Sequence, residues 1–115
     1  MPSNALPPAR RIRRRREFQR VFDAGRRAHG RYLTVIAAPS PGPGSRLGIV
    51  ASKKLGGSVV RNRAKRLIRE MFRTHVGSGM ASDLVVIPKS AALQVKLAEV
   101  VSDYVTILKR LNLSK

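Results

Sequence analysis

Residues 46–73 read RLGIVASKKLGGSVVRNRAKRLIREMFR, a segment whose pattern predicts a strand, a loop and a helix in succession. Its first seven residues are largely apolar, so they predict a strand over 46–52. Residues 53–57, basic and glycine-containing, predict a loop, after which Ser58 can act as the N-cap of a helix. We expect that helix to run to about His75 and to end at Gly77 and Gly79.

The predicted helix has two chemically different faces, because successive residues turn by about 100°. The inward face gathers Val60, Ala64, Leu67, Ile68 and Met71. The outward face gathers Asn62, Lys65, Arg66, Arg69 and Arg73, with Arg61 and Arg63 at its two borders. Glu70 is the one acid among these cations, whereas an ordinary solvated face interleaves opposite charges. We therefore interpret the outward face as a phosphate-binding strip.

The loop before the helix extends this basic strip. Lys53 and Lys54 stand near the helix start, where free backbone amides and the helix dipole attract phosphate oxygens. Gly56 and Gly57 would let the backbone approach a ligand closely, although a glycine pair is weak evidence alone. The spacing of a nucleotide-binding P-loop is missing.

Upstream, the pattern predicts a helix and another strand. Residues 14–24 place Phe18 and Phe22 one helical turn apart, with Gly25 as the stop. Residues 31–38 (RYLTVIAA) predict a strand and residues 39–44 (PSPGPG) a turn. An antiparallel hairpin is the simplest connection between this strand and the one over 46–52.

An arginine-rich arm precedes the first helix, since six of the seven residues from Arg10 to Arg16 are arginines. We expect residues 1–13 to form a flexible basic leader and residues 14–115 a single domain. The arm can be a solvated segment that becomes ordered on a polyanion, or it can itself grip RNA phosphates, and both can hold. The arm cations proposed for that contact are Arg13, Arg14, Arg15 and Arg16.

Phe18 and Phe22 allow two interpretations. Aromatic pairs one turn apart are most often part of a core. These two are nevertheless among only five aromatic residues and stand beside an arginine cluster, a combination that holds single-stranded nucleic acid. One side of the helix can pack while its edge lines a groove.

Downstream, residues 83–88 (DLVVIP) predict a buried strand, and residues 91 to about 112 predict the last helix. The apolar stripe of that helix is Leu93, Leu97, Val100, Val101, Tyr104, Leu108 and Leu111. The order of helix, strands, helix, strand and helix predicts an α+β domain with one sheet.

The charge balance indicates a polyanionic partner. The 115 residues contain 24 Lys and Arg against six Asp and Glu, a formal net charge of +18. Nucleic acid is the default partner and an anionic membrane surface a distant second. Cysteine is absent, which excludes disulfides and thiolate chemistry, and no apolar run approaches the ~20 residues that span a bilayer. With no signal-peptide pattern at the N-terminus, we expect a cytoplasmic protein without membrane association.

A protein active site is hard to assemble from these residues. The only acids at helical spacing are Glu99 and Asp103, which we interpret as surface residues of the last helix, and His29 and His75 stand in no ligand motif. We therefore expect no catalytic residue and no intrinsic metal or cofactor, and the chemistry would lie in the partner.

Residues 46–73 also closely resemble the protein subunit of bacterial ribonuclease P. The family hallmark is a basic SKK-x-G loop followed by RN-x-x-KR-x-x-R on a helix. The matching residues here are Ser52, Lys53, Lys54, Gly56, Arg61, Asn62, Lys65, Arg66 and Arg69. The segments EFQRVFDAG (17–25) and DLVVIP (83–88) resemble the family's first helix and last strand, so the resemblance spans about residues 10–112. Ser58 and Ala64 are mild departures, at positions where alanine and a larger aliphatic residue are usual.

The resemblance implies a ribozyme subunit. In that family a catalytic RNA, using Mg²⁺ bound mainly by the RNA, removes the 5′ leader of precursor tRNA, and the protein supplies no catalytic group. The residues that would contact the catalytic RNA are Lys53, Lys54, Arg61, Asn62, Arg63, Lys65, Arg66, Arg69 and Arg73. The residues that would line a cleft for the single-stranded leader are Phe18, Phe22, Ile36 and Arg31, with Ile36 at a position where the family often has an aromatic residue.

The resemblance also implies a fold, α-β-β-β-α-β-α, with a central four-stranded sheet and a left-handed β-α-β crossover, as in domain 2 of ribosomal protein S5. A monomer in a 1:1 complex with the RNA is expected. A ribosomal or other structural RNA-binding protein without turnover is the alternative. A nuclease acting alone and a nucleoid-type DNA binder are weaker hypotheses, the former because acids are scarce.

Overall fold

Three helices and four strands make up the part of the chain that the structure, a computed structural model, describes: residues 10–42, 44–74 and 82–112. In chain order they are α1 (Arg15–Ala24), β1 (Arg26–His29), β2 (Leu33–Pro39), β3 (Arg46–Ile49), α2 (Ser58–Thr74), β4 (Ser82–Pro88) and α3 (Leu97–Arg110). Short 3₁₀ helices span Lys53–Leu55 and Ser90–Gln94. The α-β-β-β-α-β-α order implied by the family resemblance is confirmed.

The strands form one mixed sheet in the order β1-β2-β4-β3. β2 is antiparallel to both β1 and β4, whereas β3 is parallel to β4, so α2 connects two parallel neighbours. The predicted hairpin between the strands over 31–38 and 46–52 was wrong, because β4 lies between them. β4 is buried along almost its whole length, which is typical of a central strand. β3, with four residues, is an edge strand. The left hand of the crossover stays a prediction.

Two apolar cores lie on opposite faces of the sheet. Alternate residues of β2, such as Leu33 and Val35, face α2 and α3 and pack there with Ile68, Phe72 and Tyr104. The intervening residues face α1, and the smaller core on that side consists of Ile12, Val21, Ile36, Ala38 and Val85. Helices α2 and α3 therefore pack on one face of the sheet, and α1 packs on the other.

Two elements differ from the pattern-based predictions. β1 was missed by pattern because it is an exposed edge strand with the sequence Arg-Arg-Ala-His, which carries no apolar alternation. The continuous helix over 91–112 was also wrong: Val95 and Lys96 have extended backbones between the 3₁₀ helix and α3. The Glu99 carboxylate accepts the backbone N–H of Lys96 at 3.3 Å and so marks the start of α3.

The folded domain begins before the predicted boundary at residue 14. Ile12 is 4% exposed, and its backbone N–H donates to the carbonyl of Leu47 in β3 at 2.9 Å. Arg11 forms a parallel bridge with Leu47. Residues 10–13 therefore lie along the edge of the sheet, whereas residues 1–9 and the predicted helix end at His75, Gly77 and Gly79 lie outside the described residues. No described helix is long and apolar enough to cross a membrane.

Candidate nucleic-acid interface

An ion-pair network centred on the buried Asp83 fixes α1 on the sheet. Arg46 of β3 donates to both carboxylate oxygens of the fully buried Asp83, at 2.9 and 2.7 Å, and to Glu17 of α1 at 2.9 Å. Arg20 of α1 also pairs with Asp83. The hydrogen bond from Arg46 lowers the pKa of Glu17 to about 2, and the bond to Asp83 raises the pKa of Arg46. Two of the six acids thus hold α1 in place.

The other four acids are also engaged within the protein. Glu70 pairs with Arg73 on α2, Asp23 accepts a hydrogen bond from Gln19, and Glu99 caps α3. Asp103, predicted as a surface residue, instead accepts the backbone N–H groups of residues 31, 32 and 33 at 2.8–3.1 Å. Few carboxylates therefore remain to neutralise the exposed cations of the arm, the loop and α2.

The cationic strip of α2 is divided between two sides of the helix. Asn62, Arg63, Arg66 and Arg73 are exposed, whereas Arg61, Lys65 and Arg69 are half-buried. Lys65 and Arg69 face the arm and α1, and Arg63 and Arg66 face the approach to α3. Helical periodicity predicts one surface for all these residues, whereas in the structure two separate grooves flank that surface.

One of these grooves, here called the arm groove, joins the arm, α1 and α2. Its volume is about 170 Å³, and its lining is Arg11, Ile12, Arg13, Phe18, Leu47, Ile49, Lys65 and Arg69. Four cations and no carboxylate line it. The Nε atom of Arg11 is buried and has no hydrogen-bond partner among the described residues. Such a groove suits the phosphate backbone of a nucleic acid.

The aromatic helix lies beside the arm groove. Phe18 is half-buried with its ring over Gly48, where an added Cβ would lie 2.7 Å from the ring. Phe22 is also half-buried, and Val50 and Ile87 join the two rings around the smaller core. Each ring thus packs against the core and remains partly exposed, whereas contact of the pair with nucleic acid stays a prediction.

Two residues predicted for the leader cleft do not line an open surface beside Phe18 and Phe22. Ile36 is only 1% exposed and forms part of the core beneath α1, so it supports the aromatic residues from below and offers no open surface. Arg31 lies in the turn between β1 and β2, against α3, where its backbone N–H donates to Asp103. The structure does not bring Arg31 together with Phe18 and Phe22.

The Lys53–Lys54 loop leads directly into α2. Both lysines are exposed in the 3₁₀ helix, and Gly56 follows with φ of +144°, a conformation that favours glycine. The backbone N–H of Arg61 donates to the carbonyl of Gly57 at 3.0 Å, which sets the first turn of α2. The free amides at that end thus lie next to two lysines, as the sequence predicts.

Three residues that the sequence analysis did not assign belong to these surfaces. Arg11 lines the arm groove, and the apolar Ile12 within an arginine run was the available signal that residues 11–13 are extended and pack. Arg27 of β1 pairs across the strands with Ile36 and so projects on the same face as α1. Val59 is 80% exposed at the start of α2, an apolar spot in a basic surface.

The described residues contain no group of three or more His, Cys, Asp or Glu side chains that could hold a metal ion. His29 is exposed, with Nδ1 3.0 Å from the Thr34 hydroxyl. His75 lies outside the described residues. The arrangement offers exposed cations and partly exposed aromatic faces, which are groups that suit the binding of a nucleic acid.

Comparison with known proteins places this arrangement in a family. A family model described as Ribonuclease P matches residues 6–112. The chain is 39% identical over 111 residues to the ribonuclease P protein component of Desulfovibrio desulfuricans, covering 92% of this chain and 85% of that protein. The corresponding protein of Syntrophus aciditrophicus is 34% identical, with 96% and 93% covered.

Solved structures give the same result. The RNase P protein of Staphylococcus aureus superposes with a TM-score of 0.80 at 32% identity, covering 92% of this chain and 98% of that one. The RNase P protein of Thermotoga maritima superposes with a TM-score of 0.78 at 35% identity, covering 87% and 96%.

Proposed function

We propose that two faces of this chain, which belongs to the ribonuclease P protein family, bind two different RNAs. As a family member it is an RNA-binding subunit of the holoenzyme that carries out tRNA 5′ maturation, and the ribonuclease P RNA is its partner. In our proposal α2 and the Lys53–Lys54 loop bind the catalytic RNA, while α1 and the arm hold the 5′ leader of precursor tRNA.

The observation that carries this proposal is the arm groove. It places the ring of Phe18 beside Arg11 and Arg13 of the arm and beside Lys65 and Arg69 of α2. A single strand can therefore stack on the aromatic side while its phosphates face cations. The same cations border the α2 surface, so the leader and the catalytic RNA would meet along one edge of the protein.

The protein's part in the reaction is binding and orientation. We also propose that Mg²⁺ is held mainly by the RNA, as the family resemblance implies. A monomer in a 1:1 complex fits the assignment of the two faces to two different RNAs. We also propose a cytoplasmic location, where both RNAs are made.

Binding of precursor and mature tRNA by the reconstituted holoenzyme tests the leader assignment. Phe18→Leu keeps apolar volume over Gly48 but removes the stacking face, so we expect about a 5- to 20-fold weaker affinity for precursor and little change for mature tRNA. Tyr32→Leu, a half-buried aromatic that packs against the opposite core, is the matched control. Equal losses for both tRNAs would assign Phe18 to packing alone.

A ribosomal protein without turnover, the alternative from the sequence, is not favoured, because the family model and the relatives are ribonuclease P proteins.

A further inference from the structure

A second groove, here called the inter-helix groove, lies on the other side of α2. Its volume is about 310 Å³. The α2 side contributes Arg63, Arg66, Leu67 and Glu70, and the segment leading into α3 contributes Ala92, Leu93, Val95 and Leu97. Two α2 residues that we propose to contact the catalytic RNA, Arg63 and Arg66, therefore border a mainly apolar depression.

The floor of the inter-helix groove is aliphatic. Ala92 is fully buried, while Leu67, Val95 and Leu97 are half-buried and pack on the larger core from one side only. Leu93 is also half-buried but is not among the side chains that pack on either core within the described residues. Its side chain lines the groove.

The rim of the groove is charged in a way that suits a nucleotide. Arg66 is exposed and makes no hydrogen bond or ion pair within the described part of the chain, so its guanidinium is free for a phosphate. Arg63 donates to the carbonyl of Leu93 at 3.2 Å, which fixes its guanidinium at the border of the apolar floor. Glu70 is paired with Arg73, so its charge opposes phosphate binding only weakly.

We propose that the inter-helix groove binds one unpaired nucleobase of the catalytic RNA, with its phosphate on Arg66. The proposal rests on the proposed binding of that RNA by α2. A duplex presents sugars and phosphates outward and has no apolar group that reaches such a floor, whereas a base turned out of the stack has two apolar faces. Guanidinium planes and aliphatic side chains both pack against base faces, and Arg63 is held in position to do so.

Salt-dependent binding of a bacterial ribonuclease P RNA to the full-length protein tests the proposal. Leu93→Ala should weaken binding about 5- to 20-fold and leave the slope of log K against log salt unchanged, because no phosphate contact is lost. Arg66→Ala should weaken binding and make that slope less negative by about 1. Leu93→Met, which keeps the apolar volume, should restore affinity to near the wild-type value.

Val95→Ala and Val105→Ala form a matched pair, since both side chains are half-buried but only Val95 lines the groove. Val95→Ala is expected to weaken RNA binding more than Val105→Ala, with thermal unfolding measured for every variant. If Arg66→Ala weakens binding while Leu93→Ala equals the wild type, the groove proposal is overturned and the α2 assignment stands. If neither variant changes binding, the α2 assignment itself fails.

A benzophenone side chain introduced at position 93 identifies the occupant. Cross-linking to one unpaired nucleotide of the RNA would support the proposal, and cross-linking only to base-paired nucleotides would overturn it. If Leu93→Ala instead alters the sedimentation of the free protein and leaves RNA affinity unchanged, the groove binds a second copy of the chain. That result would also overturn the proposal.

Discussion

Asp83 is fully buried in a protein with very few acids, and its position explains how α1 is held. Its two oxygens face Arg46 and Arg20, and Arg46 continues to Glu17. A buried ion pair stabilises when its hydrogen bonds are satisfied, and loss of one partner leaves an uncompensated charge. The network therefore fixes the helix that presents Phe18 and Phe22.

The Glu17 carboxyl gives this network a defined response to acid. Its pKa is about 2 in the folded protein against an ordinary value of 4.5, because Arg46 donates to the ionised form. The unfolded chain thus binds the proton first as the pH falls, so the stabilisation is complete above pH 4.5 and is lost as the pH falls towards 2.

We predict that Glu17→Gln lowers stability at neutral pH and flattens the decline in the free energy of unfolding between pH 4.5 and 2. Urea unfolding across that range measures it. Asp23→Asn, an exposed acid on the same helix, is the control. A decline as steep in Glu17→Gln as in the wild type would contradict the assigned role of the Arg46 hydrogen bond.

Local pattern predicts the cationic residues but not these partners. The alternation of charged and apolar residues along α2 is a local property, so its two faces follow from helical periodicity. Asp83, by contrast, meets Arg46 across 37 residues and Arg20 across 63, and Asp103 meets Arg31 across 72. Contacts at such separations depend on strand order, which the pattern did not provide.

The last helix, α3, anchors the turn between β1 and β2 through two side chains, Asp103 and Arg110. The carboxylate of Asp103 accepts the backbone N–H groups of Arg31, Tyr32 and Leu33. From the other side, Lys89 donates to the carbonyl of Gly30 at 2.6 Å and Arg110 to the carbonyl of His29 at 2.8 Å. The β1 edge of the sheet is thereby tied to the last helix.

We predict that Asp103→Asn costs about 1–3 kcal/mol of unfolding free energy, because its amide NH₂ would face backbone donors that need an acceptor. Chemical denaturation measures the change. RNA affinity should remain near the wild-type value, since the turn lies apart from the arm groove and α2. A cost no larger than that of Asp23→Asn would show that the three hydrogen bonds do not anchor the turn.

The elements themselves were largely predictable, and their arrangement was less so. Apolar content located β2, β3, α2 and β4 to within a few residues. The pattern could not show that β4 lies between β2 and β3, because any two strands that are consecutive in the sequence can pair as a hairpin. It also could not show the break at Val95 and Lys96, since the apolar spacing continues across it. Only the family resemblance supplied the third strand before α2.

Over the whole protein, the acids make contacts within the fold, whereas many of the cations are exposed. The net charge is +18, and all six acids have partners within the described protein. The arm groove and the exposed side of α2 therefore present cations to any approaching polyanion, which favours rapid, salt-dependent association.

We predict that the affinity for the catalytic RNA falls with salt along a log–log slope of about −4 to −7, as expected if roughly 6–8 phosphates are neutralised. Filter binding or fluorescence titration at several potassium concentrations measures this slope. A slope near −1 would contradict the two-sided basic surface, because it would leave most of its cations without phosphate contacts.

Cleavage of a 5′-extended precursor tRNA at low Mg²⁺ by a bacterial ribonuclease P RNA tests whether this protein acts as the binding subunit of a ribozyme. The reaction is run with the RNA alone, with the protein alone and with both together. We predict stimulated cleavage only in the combined reaction, which would place binding in the protein and catalysis in the RNA. Cleavage by the highly purified protein alone, or no stimulation despite tight RNA binding, would contradict this role of the protein.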